Sequence, residues 1–314
     1  MAVPIAAVFS SLLAVLFLVL GPFGILGFPF VGVPVVRAAH RNGLAAGLLA
    51  AALAAVLLTA ASSIDSGAGA TASPLVLMGL VAGLPAFFSG LVAGGANPSR
   101  EYLALAVSGC VVIGGILLLP PTLGSKPVGE DVAAAFDAMI PGAVASYSKA
   151  NVDAETVARV QATLEAARDF SRRYWLGLVG AFWVLGCAVT FYAGAKSARP
   201  APSADRTRFE TLALPAFLAP AFVAAGAVFA LAKGSARQAA GEVLFPLSAL
   251  YFVAGLSIIC HFARKWFRVR ILRIGLYALV VYVPMNIGVA LLGLFDWYAD
   301  FRHRGGEAER ESQR

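Results

Sequence analysis

Three histidines, His40, His261 and His303, and three cysteines, Cys110, Cys187 and Cys260, are the side chains best equipped for metal ligation or nucleophilic work. None stands at ligand spacing from another, and CxxC, HExxH and GxSxG are all absent. The histidines read as interfacial or cytosolic polar residues, the cysteines as small buried hydrophobes. No GxxxxGK[ST] occurs, so the chain carries no nucleotide motor of its own. No Asp, Glu, Lys or Arg falls inside any apolar run of the chain. Proton relays and ion-coupled carriers need such groups at membrane depth, and intramembrane hydrolases need a base, a nucleophile or metal ligands. The sequence therefore reads as a non-enzyme without cofactor or metal.

What remains for chemistry is recognition through backbone, amide, hydroxyl and aromatic groups. One stretch offers many of these. Residues 23–36, FGILGFPFVGVPVV, are interrupted by Gly24, Gly27, Pro29, Gly32 and Pro34. Prolines remove donors and glycines admit close neighbours. Such backbone survives in a bilayer only when buried in protein or lining a cavity. A second break stands at Pro284, beside Tyr282 and Asn286. We expect the two breaks to face each other, with Phe28, Phe30, Tyr282 and Asn286 on the cavity wall and Gly32 admitting the ligand. The competing expectation is a segment packed only to fill the interior.

The elements that must position these residues are apolar helices. Of 314 residues, 60% are hydrophobic and 13% charged, where a soluble domain carries about 25% charge. Long apolar runs cover about 3–21, 44–61, 75–93, 103–119, 174–194, 212–232, 243–262 and 274–295. They are continuous rather than alternating, which argues against a β-barrel. The fold class is all-α: a polytopic transmembrane helical bundle with about seven to eight crossings, including the short Pro/Gly-broken segment. The first run has no basic leader and no good cleavage site, so it reads as a retained helix. Four regions follow: membrane helices over 1–123, an extramembrane piece over 124–173, membrane helices over 174–304, and a disordered tail over 305–314. The extramembrane piece reads as two amphipathic surface helices joined at Pro141, with Asp153 capping the second.

The net charge of +7 sits in loops, which excludes a nucleic-acid face and points to membrane lipids. Arg264, Lys265, Arg268, Arg270 and Arg273 crowd one turn between the last two runs. They read as a lipid-headgroup contact; the alternative is a docking point for a cytoplasmic partner protein.

The order Gly255, His261, that basic turn, Tyr277, Pro284, Gly293-Leu294-Phe295-Asp296 and Phe301-Arg302 resembles the C-terminal half of the YybS-like family. The Pro/Gly-rich 22–36 stretch and its basic turn resemble the front half. Those are bacterial inner-membrane proteins, classed as domain of unknown function 2232 and likened to the substrate-binding components of vitamin-uptake transporters. The resemblance implies a multi-pass inner-membrane protein and no catalytic residues. Joined to the chemistry above, it implies binding or moving a small neutral or lipid-like molecule without its own ATPase. The alternative is a scaffold that organises a membrane complex.

Loops 37–43, 94–102, 196–210 and 263–273 carry cations, whereas the link 62–73 carries none. The positive-inside rule places the first set in the cytoplasm and 124–173 on the far side. Single cysteines at Ser125 and Ser203, in a chain freed of its native cysteines, should label from opposite sides. Labelling of both from one side overturns the arrangement.

Overall fold

The computed structural model describes residues 2–19, 27–66, 76–122, 128–149, 153–199, 201–266 and 283–299. Tyr282, Arg268, Arg270, Arg273 and the 305–314 tail lie outside the described residues. Helices dominate, and no strand occurs among the described residues. Among the described residues, four helices are long and apolar enough to cross a membrane: Val76–Ala93, Pro98–Leu118, Ala154–Ala198 and Gly234–Trp266. Val3–Phe17, Leu44–Ala60, Leu218–Leu231 and Asn286–Asp296 are apolar but shorter.

The chain forms two compact units. The first holds residues 1–109, 183–218 and 249–314. It begins with α1 (Ala2–Val19), a 3-10 turn (Phe28–Gly32), α2 (Val33–Asn42), α3 (Leu44–Ser66) and α4 (Val76–Ala93). The core here is built of small residues: Ala7, Ala14, Ala50, Ala54, Ala82 and Ala86 are fully buried. Alanine and glycine let helix backbones approach closely where lipid offers no hydrophobic drive between helices. A Cβ on Gly90 would stand 2.8 Å from the Leu44 Cβ, and one on Gly47 2.6 Å from the Ala39 Cβ.

The broken segment runs antiparallel to α1. Gly27 meets Phe17 near the end of α1, Ser10 reaches Val31 at its middle, and Ile5 and Ala6 share a cavity with Ala38 and Arg41. The tighter 3-10 turn rises about 2 Å per residue, so residues 28–42 extend about 25 Å, against about 27 Å for α1. The segment thus returns alongside the whole of α1. The residues expected to close it as a basic turn, Arg37, His40 and Arg41, continue its helix to Asn42. Gly43, at φ 87°, then ends that helix.

One loop gathers the basic ends of this unit. Residues 199–217 contain a short helix, α8 (Pro202–Arg206), and a 3-10 turn (Phe209–Thr211). Arg41 donates to the Ala198 and Arg199 carbonyls, the Ala213 N–H donates to Ser99 Oγ, and Arg264 pairs with Glu210 at 2.6 Å. Three of the four loops expected on one side, and the end of the helix that enters the fourth, are therefore bonded to one another. Ser203 is buried in this layer, so exposed Pro202 is the better labelling site. The following run was expected to be helical from 212; its helix begins at Leu218, and Leu212–Pro215 are irregular. Pro215 suits that irregular approach, since it has no N–H to give a helix.

The second unit holds residues 110–182 and 219–248. It takes in the end of α5 (Pro98–Thr122), all of α6 (Val128–Lys149), the first part of α7 (Ala154–Ala198), α9 (Leu218–Leu231) and the start of α10 (Gly234–Trp266). The expected join at Pro141 is not a join: Pro141 lies inside α6. The change of element comes at Asp153, which caps α7 by accepting from the Thr156 N–H at 2.7 Å and the Thr156 hydroxyl at 2.8 Å. An Asp137–Arg168 bridge of 2.9 Å ties α6 to α7. The second amphipathic helix is continuous with the membrane run, meeting it at a kink at Tyr174 (φ −118°, ψ 25°).

Gly32 marks a tight point of the first unit: a Cβ there would strike the Val81 carbonyl and come within 2.6 Å of Thr190 Cγ2. Gly32→Ala should cost about 1–3 kcal/mol by overpacking, read as a lowered thermal midpoint in detergent. Gly79→Ala, where a Cβ meets nothing within 4 Å, should leave it unchanged. Equal midpoints for the two variants refute the packing account.

Candidate functional site

The residues expected to frame a cavity are seated on different partners. Phe28, Phe30 and Gly32 lie together in the 3-10 turn, with Phe30 exposed and Gly32 buried. The carbonyls of that turn are met by hydroxyls: Ser10 Oγ donates to Val31 O at 2.7 Å, and Thr190 Oγ1 donates to Pro29 O. Pro34 has no N–H to offer Val31, which is the chemical reason a serine stands opposite. Asn286 sits in the first turns of α11 (Val283–Ala299), and its Oδ1 is buried without a hydrogen bond among the described residues. That helix packs on α10 almost backbone to backbone. A Cβ on Gly293 would stand 2.7 Å from the Gly255 N, and one on Gly255 would strike the Val289 carbonyl.

A cavity does exist beside the broken segment, further toward its basic end. It encloses about 380 Å³ between α1 and α2, within the range of small-molecule sites. Ile5, Phe9, Val33 and Pro34 form its apolar walls, and Arg37, Arg41, Asn42 and Ser197 its polar end. Arg37 and Arg41 are four residues apart on α2 and so share a face. Their tasks differ. Arg41 Nε and Nη2 each donate at 3.2 Å, to the last carbonyl of α7 and to that of Arg199 just beyond it, as a cation should at a helix C-terminus. Arg37 is exposed and makes no hydrogen bond or ion pair among the described residues. No cluster of three or more metal-ligating side chains occurs among the described residues.

His40 closes the same end. Ser203 Oγ donates to the His40 carbonyl at 3.1 Å, which leaves Nδ1–H to donate to Ser203 Oγ at 3.2 Å. Nε2 is buried with no partner among the described residues. The ring lies edge-on to Phe191 at 6.5 Å. Burial pushes the imidazole down from 6.5 to about 4, so it is neutral at pH 7.

Sequence reasoning gave no site role to Ser10, Thr190, Arg37 or Ser203. For the first two a signal was present: a hydroxyl inside an apolar run commonly bonds a neighbouring helix. Of the five cations in the basic turn, Arg264 is engaged with Glu210, and Lys265 lies beside it in the last turn of α10.

The family described as "Predicted membrane protein (DUF2232)" matches residues 8–297. No curated protein and no solved structure matches the chain.

The His40 geometry makes stability depend on pH. The unfolded chain binds a proton below pH 6.5, whereas the folded chain resists it to about pH 4. Stability should therefore fall as pH drops from 6.5 to 4, by up to about 3 kcal/mol. His40→Asn should flatten that part of a thermal-unfolding profile. An unchanged slope in the variant assigns the acid sensitivity elsewhere.

Proposed function

We propose that this chain, which belongs to the DUF2232 family of predicted membrane proteins, holds an anionic lipid-like molecule in the groove between α1 and α2. The observation that carries the reading is Arg37. A guanidinium free of protein partners among the described residues stands at the polar end of an apolar groove. An amphiphile with a phosphate or carboxylate head satisfies both ends, the cation by a charge-assisted bond and the walls by its hydrocarbon. Ile5 and Phe9, at the groove, are more than half exposed, so a ligand can enter sideways from the bilayer. Of the two ligand kinds the sequence admits, this chemistry favours the lipid-like over the small neutral one.

The wider setting belongs to the same proposal. The protein is a bacterial inner-membrane protein that crosses the bilayer through its apolar helices, with the broken segment as one of the passes. The basic loops face the cytoplasm and membrane lipids, and no ATPase is built in. The likeness of YybS-like proteins to vitamin-uptake binding components fits a binding step followed by a hand-over to a partner.

A second reading, a scaffold, is favoured by one observation. The 3-10 turn is filled by Thr190, Val81 and Ser10, so that break serves packing and offers a ligand little. On this reading the basic turn, whose Arg264 is tied to the loop layer through Glu210, docks a cytoplasmic protein.

The test is lipid retention. Protein purified in mild detergent should carry an anionic lipid, seen by native mass spectrometry. Arg37→Gln should lower its occupancy about tenfold, the loss of one charge-assisted bond, and Arg37→Glu should abolish it. Full retention by Arg37→Glu eliminates the groove as the site and leaves the scaffold.

A further inference from the structure

The kink at Tyr174 has a specific hydrogen-bond arrangement. In a regular helix the Gly177 N–H bonds the Arg173 carbonyl, four residues back. Here both groups are engaged by side chains of α10. Glu242 accepts from the Gly177 N–H, and Gln238 Nε2 donates to the Arg173 carbonyl at 3.1 Å. Gln238 and Glu242 are themselves four residues apart, so they project from one face of α10 with the rise of the bond they replace. An acceptor is supplied to the orphaned donor and a donor to the orphaned acceptor. Two glycines make the reach short. A Cβ on Gly177 would lie 2.9 Å from the Glu242 Cα, and one on Gly241 2.7 Å from the Tyr174 ring.

The surroundings suit a pivot. Tyr174 is buried among Phe170, Phe229 and Phe245, with ring centroids 5.0, 5.7 and 5.5 Å away. Only Phe245 meets the Tyr174 ring edge-on, and the other two rings are tilted against it. Beyond the pivot the arm of α7 is exposed and charged, and it carries α6 with it through Asp137–Arg168. Gln238 is exposed and Glu242 half-buried, so neither is locked in place by packing.

We propose that Tyr174 is a two-state hinge, held bent by the Gln238–Glu242 pair standing in for the backbone bond between Gly177 and Arg173. The second state is defined by the same atoms. When α10 withdraws the pair, the Gly177 N–H returns to the Arg173 carbonyl and the helix straightens. Neither state leaves the Gly177 N–H or the Arg173 carbonyl unmet, which is the condition for two alternative arrangements of this segment. The hinge transmits movement of α10 to the α6–α7 hairpin outside the membrane. It does not depend on the lipid groove.

The experiment uses full-length protein in nanodiscs, its native cysteines replaced. Spin labels go at Ala158 on the arm and Leu231 on α9, both exposed, and their separation is read by pulsed electron resonance. Ala158 lies about 24 Å from the pivot, so a ten-degree change moves it by about 4 Å. Gln238→Ala/Glu242→Ala should shift the distance by at least that much or split it into two populations. Glu242→Gln, which keeps an acceptor, should restore the original distance. Should the double variant fail to fold, Gln238→Ala alone, at an exposed position, should broaden the distribution toward the new distance. An unchanged distance in whichever of these alanine variants folds overturns the hinge, because the aromatic cluster alone would then fix the bend.

Discussion

Every backbone amide inside a bilayer must find its partner within the protein, because no water is there to supply one. This constraint explains more of the molecule than any single side chain does. The helices deviate from regularity at three described places, and neighbouring polar groups answer two of them. At the 3-10 turn, Ser10 and Thr190 hydroxyls cap the Val31 and Pro29 carbonyls. At Tyr174 the Gln238–Glu242 pair takes both halves of the interrupted bond. At Gly79–Gly83, Pro85 denies an N–H to Val81, four residues back, and the helix widens into a π turn. There the Val81 carbonyl faces the Cα of Gly32, in place of a full donor.

These solutions work only because small residues bring the backbones together. A serine hydroxyl reaches barely beyond its own Cβ, so Ser10 can serve Val31 only if α1 and the broken segment nearly touch. The alanine-rich core of α1, α3 and α4 permits that. Gly32 and Gly177 do the same at the two irregular sites, and Gly255 with Gly293 at the contact of α10 and α11. The glycines at 255 and 293, first noted as marks of a family resemblance, thus have a packing explanation of their own.

The helical class and the approximate position of the apolar helices were legible in the sequence, because hydropathy reports what lipid tolerates. Boundaries were not, wherever a helix leaves the apolar zone and goes on. SARQAAGE is polar yet a good helix former, so α10 starts at Gly234 and brings Glu242 inside a helix that hydropathy would begin at Val243. α7 likewise runs from a polar, charged stretch into an apolar one within a single element, kinked at Tyr174. Pro141 misled because a proline removes one backbone bond without necessarily ending a helix, and α6 runs through it. The irregular nature of 28–34 was readable from its prolines and glycines. Which groups would satisfy it was not, since Thr190 is 161 positions away from Pro29.

The two kinds of repair have different mechanical consequences. A serine or threonine hydroxyl buried between close-packed backbones has one place to go, and moving it strands a carbonyl at a cost of about 1–3 kcal/mol. The 3-10 turn is therefore a fixed part, suited to holding the wall of the α1–α2 groove in register. The Gln238–Glu242 pair differs, because the groups it serves can bond each other once it leaves. That break has an alternative partner within its own helix, and the fixed one has none.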